Sequence, residues 1–140
     1  MGLVQKFKTK IFNDYSPFGM DYFFDSKERK IWYEIEVESL SQLYLFYKGD
    51  CIGKMLFVLE DDCIELCDIV IFDDFPQFRN SGIGSWMFNK LKEIALTNNY
   101  KIITGKIVAE NTESWQKLVS FYTDQGCEIE DGWFTYWCVV

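Results

Sequence analysis

The sequence predicts a mixed α+β fold: a central, mostly antiparallel sheet with one parallel pair, two main helices and a closing C-terminal hairpin. Three observations predict it. Between Ile31 and Phe72 the apolar residues fall in strand-length blocks separated by turns. After Arg79 the apolar period becomes that of an amphipathic helix, twice, with one strand between. The chain then closes on an Asp131-Gly132 turn between two strand-like runs. At 140 residues the chain is long enough for one domain, 1–140, with one sizeable core.

Leu3 to Phe12 reads as a short strand, Asn13 to Phe18 as a turn, and Met20 to Arg29 as either a short helix or a loop. Next comes a half-buried strand. Ile31, Tyr33, Ile35 and Val37 share one face, and Glu34, Glu36 and Glu38 share the other. Leu43 to Tyr47 and Ile52 to Leu59 are two strands joined by a turn at Lys48-Gly-Asp-Cys51. Asp61-Asp62 turns the chain into the strongly apolar strand Cys63 to Phe72. Consecutive hairpins imply an antiparallel meander.

Ile83, Met87, Leu91 and Ile94 form a helical stripe that Trp86, Phe88 and Ala95 widen, and Asn98-Asn99 ends it. Lys101 to Val108 is a further strand. Asn111 is an N-cap candidate for a second helix, with Trp115, Leu118, Val119 and Tyr122 on its apolar face and Gly126 as the C′ residue. A strand–helix–strand passage is right-handed, so Cys63–Phe72 and Lys101–Val108 should be parallel neighbours. Where the antiparallel half meets this parallel pair the two strands can splay and admit a ligand.

Composition narrows the chemistry. The chain is 49% hydrophobic and 19% aromatic, which favours a large-ringed core over disorder. Its net charge of −8 argues against nucleic acid and suits a cationic ligand, or solubility alone. No apolar run reaches the ~20 residues of a membrane helix, and the N-terminus lacks the apolar core of a signal peptide. With no histidine, Ser–His and Cys–His nucleophile systems and mixed zinc sites are excluded, so no metal is expected. Five cysteines without a CxxC pair fit a reducing, cytoplasmic setting.

The segment Gln77 to Ser85 carries the main functional signal. Two glycines, Gly82 and Gly84, open the first helix directly after an apolar strand, with Arg79 just before them. Such a turn aims backbone N–H groups and the positive helix end at a phosphate. A dinucleotide fingerprint would need glycine at Met87, and a P-loop would need lysine where Ser85 stands. Neither fits.

Arg79-x-x-Gly82-x-Gly84 resembles the pyrophosphate-binding motif of the GNAT superfamily of N-acetyltransferases. Asn111 followed by Phe121-Tyr122-x-x-x-Gly126 resembles that family's second motif, and together they cover roughly Ile64 to Cys127. The resemblance implies a GNAT-like fold with reduced N-terminal helices and acetyl-CoA as acyl donor. It places the pyrophosphate on Asn80, Ser81, Gly82, Ile83, Gly84 and Ser85, with Arg79 and Asn111 contributing. It lays the pantetheine along the backbone from Asp68 to Ile71 and Phe72, where an N–H would meet the acetyl oxygen. It also assigns Tyr122 as the proton source for the leaving thiolate; read from its helix alone, Tyr122 is simply a core aromatic. Two features depart from the family pattern: Asn111 and Tyr122 are eleven residues apart, about one turn too many, and the Ile71–Arg79 link is long.

Direct attack by an amine on a thioester also needs a route for the amine's proton. Glu65, Asp68 and Glu110 are the candidate carboxylates, each more readily read as a solvated or structural carboxylate than as the base. The acceptor is a small-molecule or protein amine. The aromatic stretches Phe18–Phe24 and Trp133–Trp137 could line its pocket or a homodimer interface. Two other readings stay open: a silent GNAT-fold module that binds acyl-CoA or a protein, and an acidic interaction protein that binds no CoA.

Overall fold

The computed structural model describes residues 20–138. Eight strands form one sheet: β1 (Asp21–Phe24), β2 (Lys30–Glu36), β3 (Leu40–Tyr47), β4 (Asp50–Leu59), β5 (Cys63–Ile71), β6 (Ile102–Lys106), β7 (Glu128–Glu130) and β8 (Trp133–Trp137). Helix α1 (Ile83–Thr97) joins β5 to β6, and α2 (Thr112–Asp124) joins β6 to β7. A 3-10 turn, Pro76–Phe78, precedes α1. Strand order is β1-β2-β3-β4-β5-β6-β8-β7. Each neighbouring pair is antiparallel except β5–β6, the expected parallel pair.

The expected strand Leu3–Phe12 lies outside the described residues. Met20 to Arg29 resolves as neither helix nor plain loop: Asp21–Phe24 pairs with Lys30–Tyr33 as a hairpin. The alternation of β2 gives one buried face, Ile31, as expected, but Glu34 on the other face is also buried, at 3% exposure. Its cross-strand neighbour is Tyr44, with the Trp32–Phe46 pair one step along, so aromatic side chains crowd a face that alternation marks as polar.

Both helices pack on the sheet face that carries Ile31, Leu43, Leu45, Met55, Phe57, Ile64 and Phe134. Helix α1 buries Ile83, Met87, Phe88, Leu91 and Ala95, the widened stripe of its period. Phe88 sits edge-on to Phe121, Tyr122, Phe134 and Tyr136, which ties α1 to α2 and β8 at once. Helix α1 ends where Asn98 Nδ2 donates to the Ile94 carbonyl. Helix α2 ends at Gly126, whose φ of 96° permits the Cys127 N–H to close back on the Tyr122 carbonyl at 3.0 Å.

Two local features open the sheet. The β5–β6 ladder holds only Cys63↔Ile102, Ile64↔Ile103 and Glu65↔Thr104, although β5 continues to Ile71. Across β5, the pairing with β4 jumps from Phe57↔Leu66 to Leu56↔Asp68. Cys67 is therefore the extra residue of a β-bulge, and a bulge bends and twists its strand. The bend falls where the parallel ladder stops, so β5 leaves β6 there.

Candidate active site

The gap between β5 and β6 forms a cleft of about 200 Å³ lined by Leu66, Cys67, Asp68 and Ile69 of β5, Lys106 and Val108 at the end of β6, and Leu118 and Tyr122 of α2. The long Phe72–Pro76 link contributes none of these residues. Tyr122 is 6% exposed, and its ring stacks on Phe134 at 3.9 Å and 8°. Burial, with Cys127 and Asp68 adding to it, pushes its phenol up to about 12, so it is neutral at physiological pH.

Gly105 sets how close β6 comes to β5. A Cβ there would lie 2.7 Å from the Leu66 carbonyl oxygen and 2.5 Å from the Phe134 ring. Only a residue without a side chain fits between the strand that lines the cleft and the ring that carries Tyr122.

The glycine turn stands before α1. Asn80 and Gly82 both have positive φ, 55° and 82°, and Gly82 is the helix N-cap with no side-chain cap. The first-turn N–H groups therefore remain available at the positive end of the helix. Most side chains here serve the fold. Ser81 is buried and its hydroxyl donates to the Phe78 carbonyl. Ser85 Oγ accepts from Gln125 Nε2 at 3.0 Å. Arg79 pairs with Asp73 of the long link at 2.7 Å, both exposed. Ile83 is core, and Gly84 faces the Phe121 ring. What the turn presents is backbone.

Asp68 lines the cleft and is exposed, whereas Glu110 is exposed on the β6–α2 connection and Glu65 closes the parallel ladder; neither is among the cleft-lining residues. Ile71 ends β5 opposite Gly53. Both backbone groups of Phe72 are engaged: its N–H donates to Ile52 and its carbonyl accepts from Phe75.

Asn111 accepts the Ser114 N–H at 2.8 Å and caps α2, so its eleven-residue distance from Tyr122 reflects where the helix begins. Asn111→Ala should cost about 1 kcal/mol, a fall of roughly 2–4 °C in melting temperature. Asn111→Ser should restore most of it; a loss unchanged in the serine variant would show that capping is not its role.

Sequence reasoning missed Cys67 and Phe134, and also the turn that holds the glycine segment from behind. Asp25, 6% exposed, accepts from the Lys27 and Arg29 N–H groups at 3.0 and 2.9 Å and from Arg29 Nε at 2.8 Å. Burial raises its carboxyl, but the hydrogen bonds and charge of Arg29, with the Lys27 N–H, outweigh it and hold the pKa below its ordinary value. An aspartate opening a run of polar residues is a turn signal that could have found it.

The site thus combines a glycine turn before a helix with a strand splay lined by a buried tyrosine. The model of the acetyltransferase (GNAT) family matches residues 8–127. The chain belongs to the GNAT acetyltransferase family. No curated protein matches the sequence. Among solved structures, the GNAT chain resembles the ribosomal-protein-S18-alanine N-acetyltransferase from Escherichia coli at TM-score 0.60 and 13% identity, over 75% of this chain and 73% of that one. It resembles the PaiA N-acetyltransferase from Thermoplasma acidophilum, solved in complex with coenzyme A, at TM-score 0.55 and 18% identity, over 67% and 57% of the two chains. A GNAT acetyltransferase from Staphylococcus aureus matches at TM-score 0.58 and 13% identity, over 72% and 69%. At these identities the likeness is one of fold: a GNAT sheet with one parallel pair. No helix among the described residues is long and apolar enough to cross a membrane.

Proposed function

We propose that this chain transfers an acetyl group from acetyl-CoA to a primary amine by direct attack, with Tyr122 serving the leaving sulfur. The supporting observation is the position of Tyr122: a neutral phenol, nearly buried, lining a cleft in a sheet that opens beside it. Acetyl-CoA supplies an activated thioester to such a site. The residues fit it. Beyond Glu65 the β5 edge carries no ladder to β6, so its backbone groups can receive an extended chain and offer an N–H where charge develops on the acyl oxygen. The Gly82–Ser85 amides receive the pyrophosphate.

A free thiol ionises near roughly 8.5, so outright proton transfer from a phenol at about 12 would be uphill in water. Inside the cleft the gap narrows. Partial desolvation at the cleft pushes the Cys67 thiol up, with the charges of Glu65, Asp68 and Glu60 adding to it. A leaving thiolate in the same place becomes more basic for the same reason. Tyr122 therefore stabilises it by a hydrogen bond that strengthens as the bond breaks. Asp68, at the cleft, is the carboxylate we assign to receive the amine's proton. The acidic surface attracts a cationic acceptor. The five free cysteines fit a reducing, cytoplasmic setting.

The direct test is a thermal shift with acetyl-CoA, followed by transfer to a panel of amines. Native-state binding raises the melting temperature by linkage; no shift at millimolar acetyl-CoA would remove the donor from the proposal. The cleft supplies its own probe. Cys67 is the exposed cysteine of the five. A small maleimide should label it first, and saturating CoA should slow that labelling by about tenfold or more while leaving the others unaffected. Unchanged labelling would place the ligand elsewhere.

A further inference from the structure

The glycine turn is held by the hairpin turn between β1 and β2, which contributes none of the cleft-lining residues. Ser26 N–H donates to the Ser81 carbonyl at 2.8 Å. Arg29 Nη2 donates to the Gln77 carbonyl at 3.0 Å, and its guanidinium lies 4.1 Å from the centre of the Phe78 ring. Phe78 is 2% exposed, and its carbonyl receives the Ser81 hydroxyl. Asp25 holds the same guanidinium through Nε at 2.8 Å and Nη2 at 2.7 Å. The Asp25 side chain is fully buried, and that of Arg29 is 20% exposed. Two carbonyls of the 77–82 segment are thus pinned by one rigid turn.

We infer that Asp25, Ser26 and Arg29 form a positioning strut that orients the Gly82 amide toward the donor's pyrophosphate. A peptide unit is planar and trans, so its C=O and N–H point opposite ways. The Ser81 carbonyl faces Ser26; the Gly82 N–H of the same unit therefore faces away from the strut. Gly82 is exposed and in the left-handed region, with only the Ser26 Cβ within reach of an added side chain, at 3.8 Å. Released from Ser26, the plane can rotate and the amide no longer adds to the helix-end donors. The strut thus acts through Gly82 and touches no substrate itself.

The inference rests on the acetyl-CoA reading, and its test separates the two. Kinetics of the full chain and of Asp25→Asn, Arg29→Gln and Arg29→Lys are compared with acetyl-CoA and with S-acetylpantetheine, which lacks the pyrophosphate. CoA affinity is measured by calorimetry. Asp25→Asn and Arg29→Gln should raise the acetyl-CoA KM and the CoA Kd about tenfold, the worth of one charge-assisted hydrogen bond. The turnover number at saturation should hold, and S-acetylpantetheine kcat/KM should be unchanged. Arg29→Lys, which keeps the charge and loses the fork, should fall between. Equal losses with both donors, or unchanged CoA affinity in variants of a chain that binds CoA, overturn the strut. No CoA binding by the unchanged chain overturns the donor reading and the strut with it.

Discussion

Tyr122→Phe is expected to lower the turnover number by about 100-fold or more with little change in the acetyl-CoA KM. The phenol lines the cleft while its ring is held independently, stacked on Phe134 and edge-on to Phe88. Phenylalanine keeps both ring contacts, so stability should move by no more than about 1 kcal/mol. The pH profile adds a second readout. A phenol pushed up to about 12 stays protonated through the alkaline range, so raising the pH does not remove the donor. It does free the attacking amine, whose ordinary pKa is roughly 10.4 for a lysine-like group. The rate should therefore climb with pH without a falling limb from Tyr122 below about pH 11. The phenylalanine variant should keep that climb at a lower level. Full activity in Tyr122→Phe would show that the leaving sulfur takes its hydrogen bond from another group.

Gly105→Ala should destabilise the fold by about 2–3 kcal/mol, within the usual cost of overpacking, or roughly 6–10 °C in melting temperature. The new methyl meets the Phe134 ring and the Leu66 carbonyl oxygen at distances real side chains do not tolerate. Neither neighbour can yield cheaply. Phe134 is 1% exposed and stacked on Tyr122, and the carbonyl belongs to the strand that bulges at the next residue. Relief comes by widening β5–β6 or by moving Phe134, and either displaces Tyr122 relative to the cleft. Turnover should fall along with stability, unlike in Tyr122→Phe. An alanine variant as stable as the parent would show that the strands do not approach this closely.

Alternation and helical period were enough to find the meander, both helices and the closing hairpin, because each of those signals is local. The two glycine motifs carried the family resemblance for the same reason: a left-handed turn at Gly82 and a helix end at Gly126 are demands of a few adjacent residues. Met20 to Arg29 was not legible, since a four-residue edge strand is specified mainly by its partner. Glu34 reads as a surface carboxylate by alternation, and its burial comes from aromatic residues on the next strand.

From Ile31 onward the sequence by itself determined the order of the main elements, the parallel crossover and the place of the glycine turn. Backbone conformation and amphipathic period are written within a few residues of one another. Only the tertiary structure decided where the sheet opens, that Cys67 is the bulged residue there, and that Asp25 and Arg29 stand behind a turn about fifty residues away. Those outcomes depend on register between strands and on which side chain fills which gap. Such contacts form between residues far apart in the chain, and no local pattern records them.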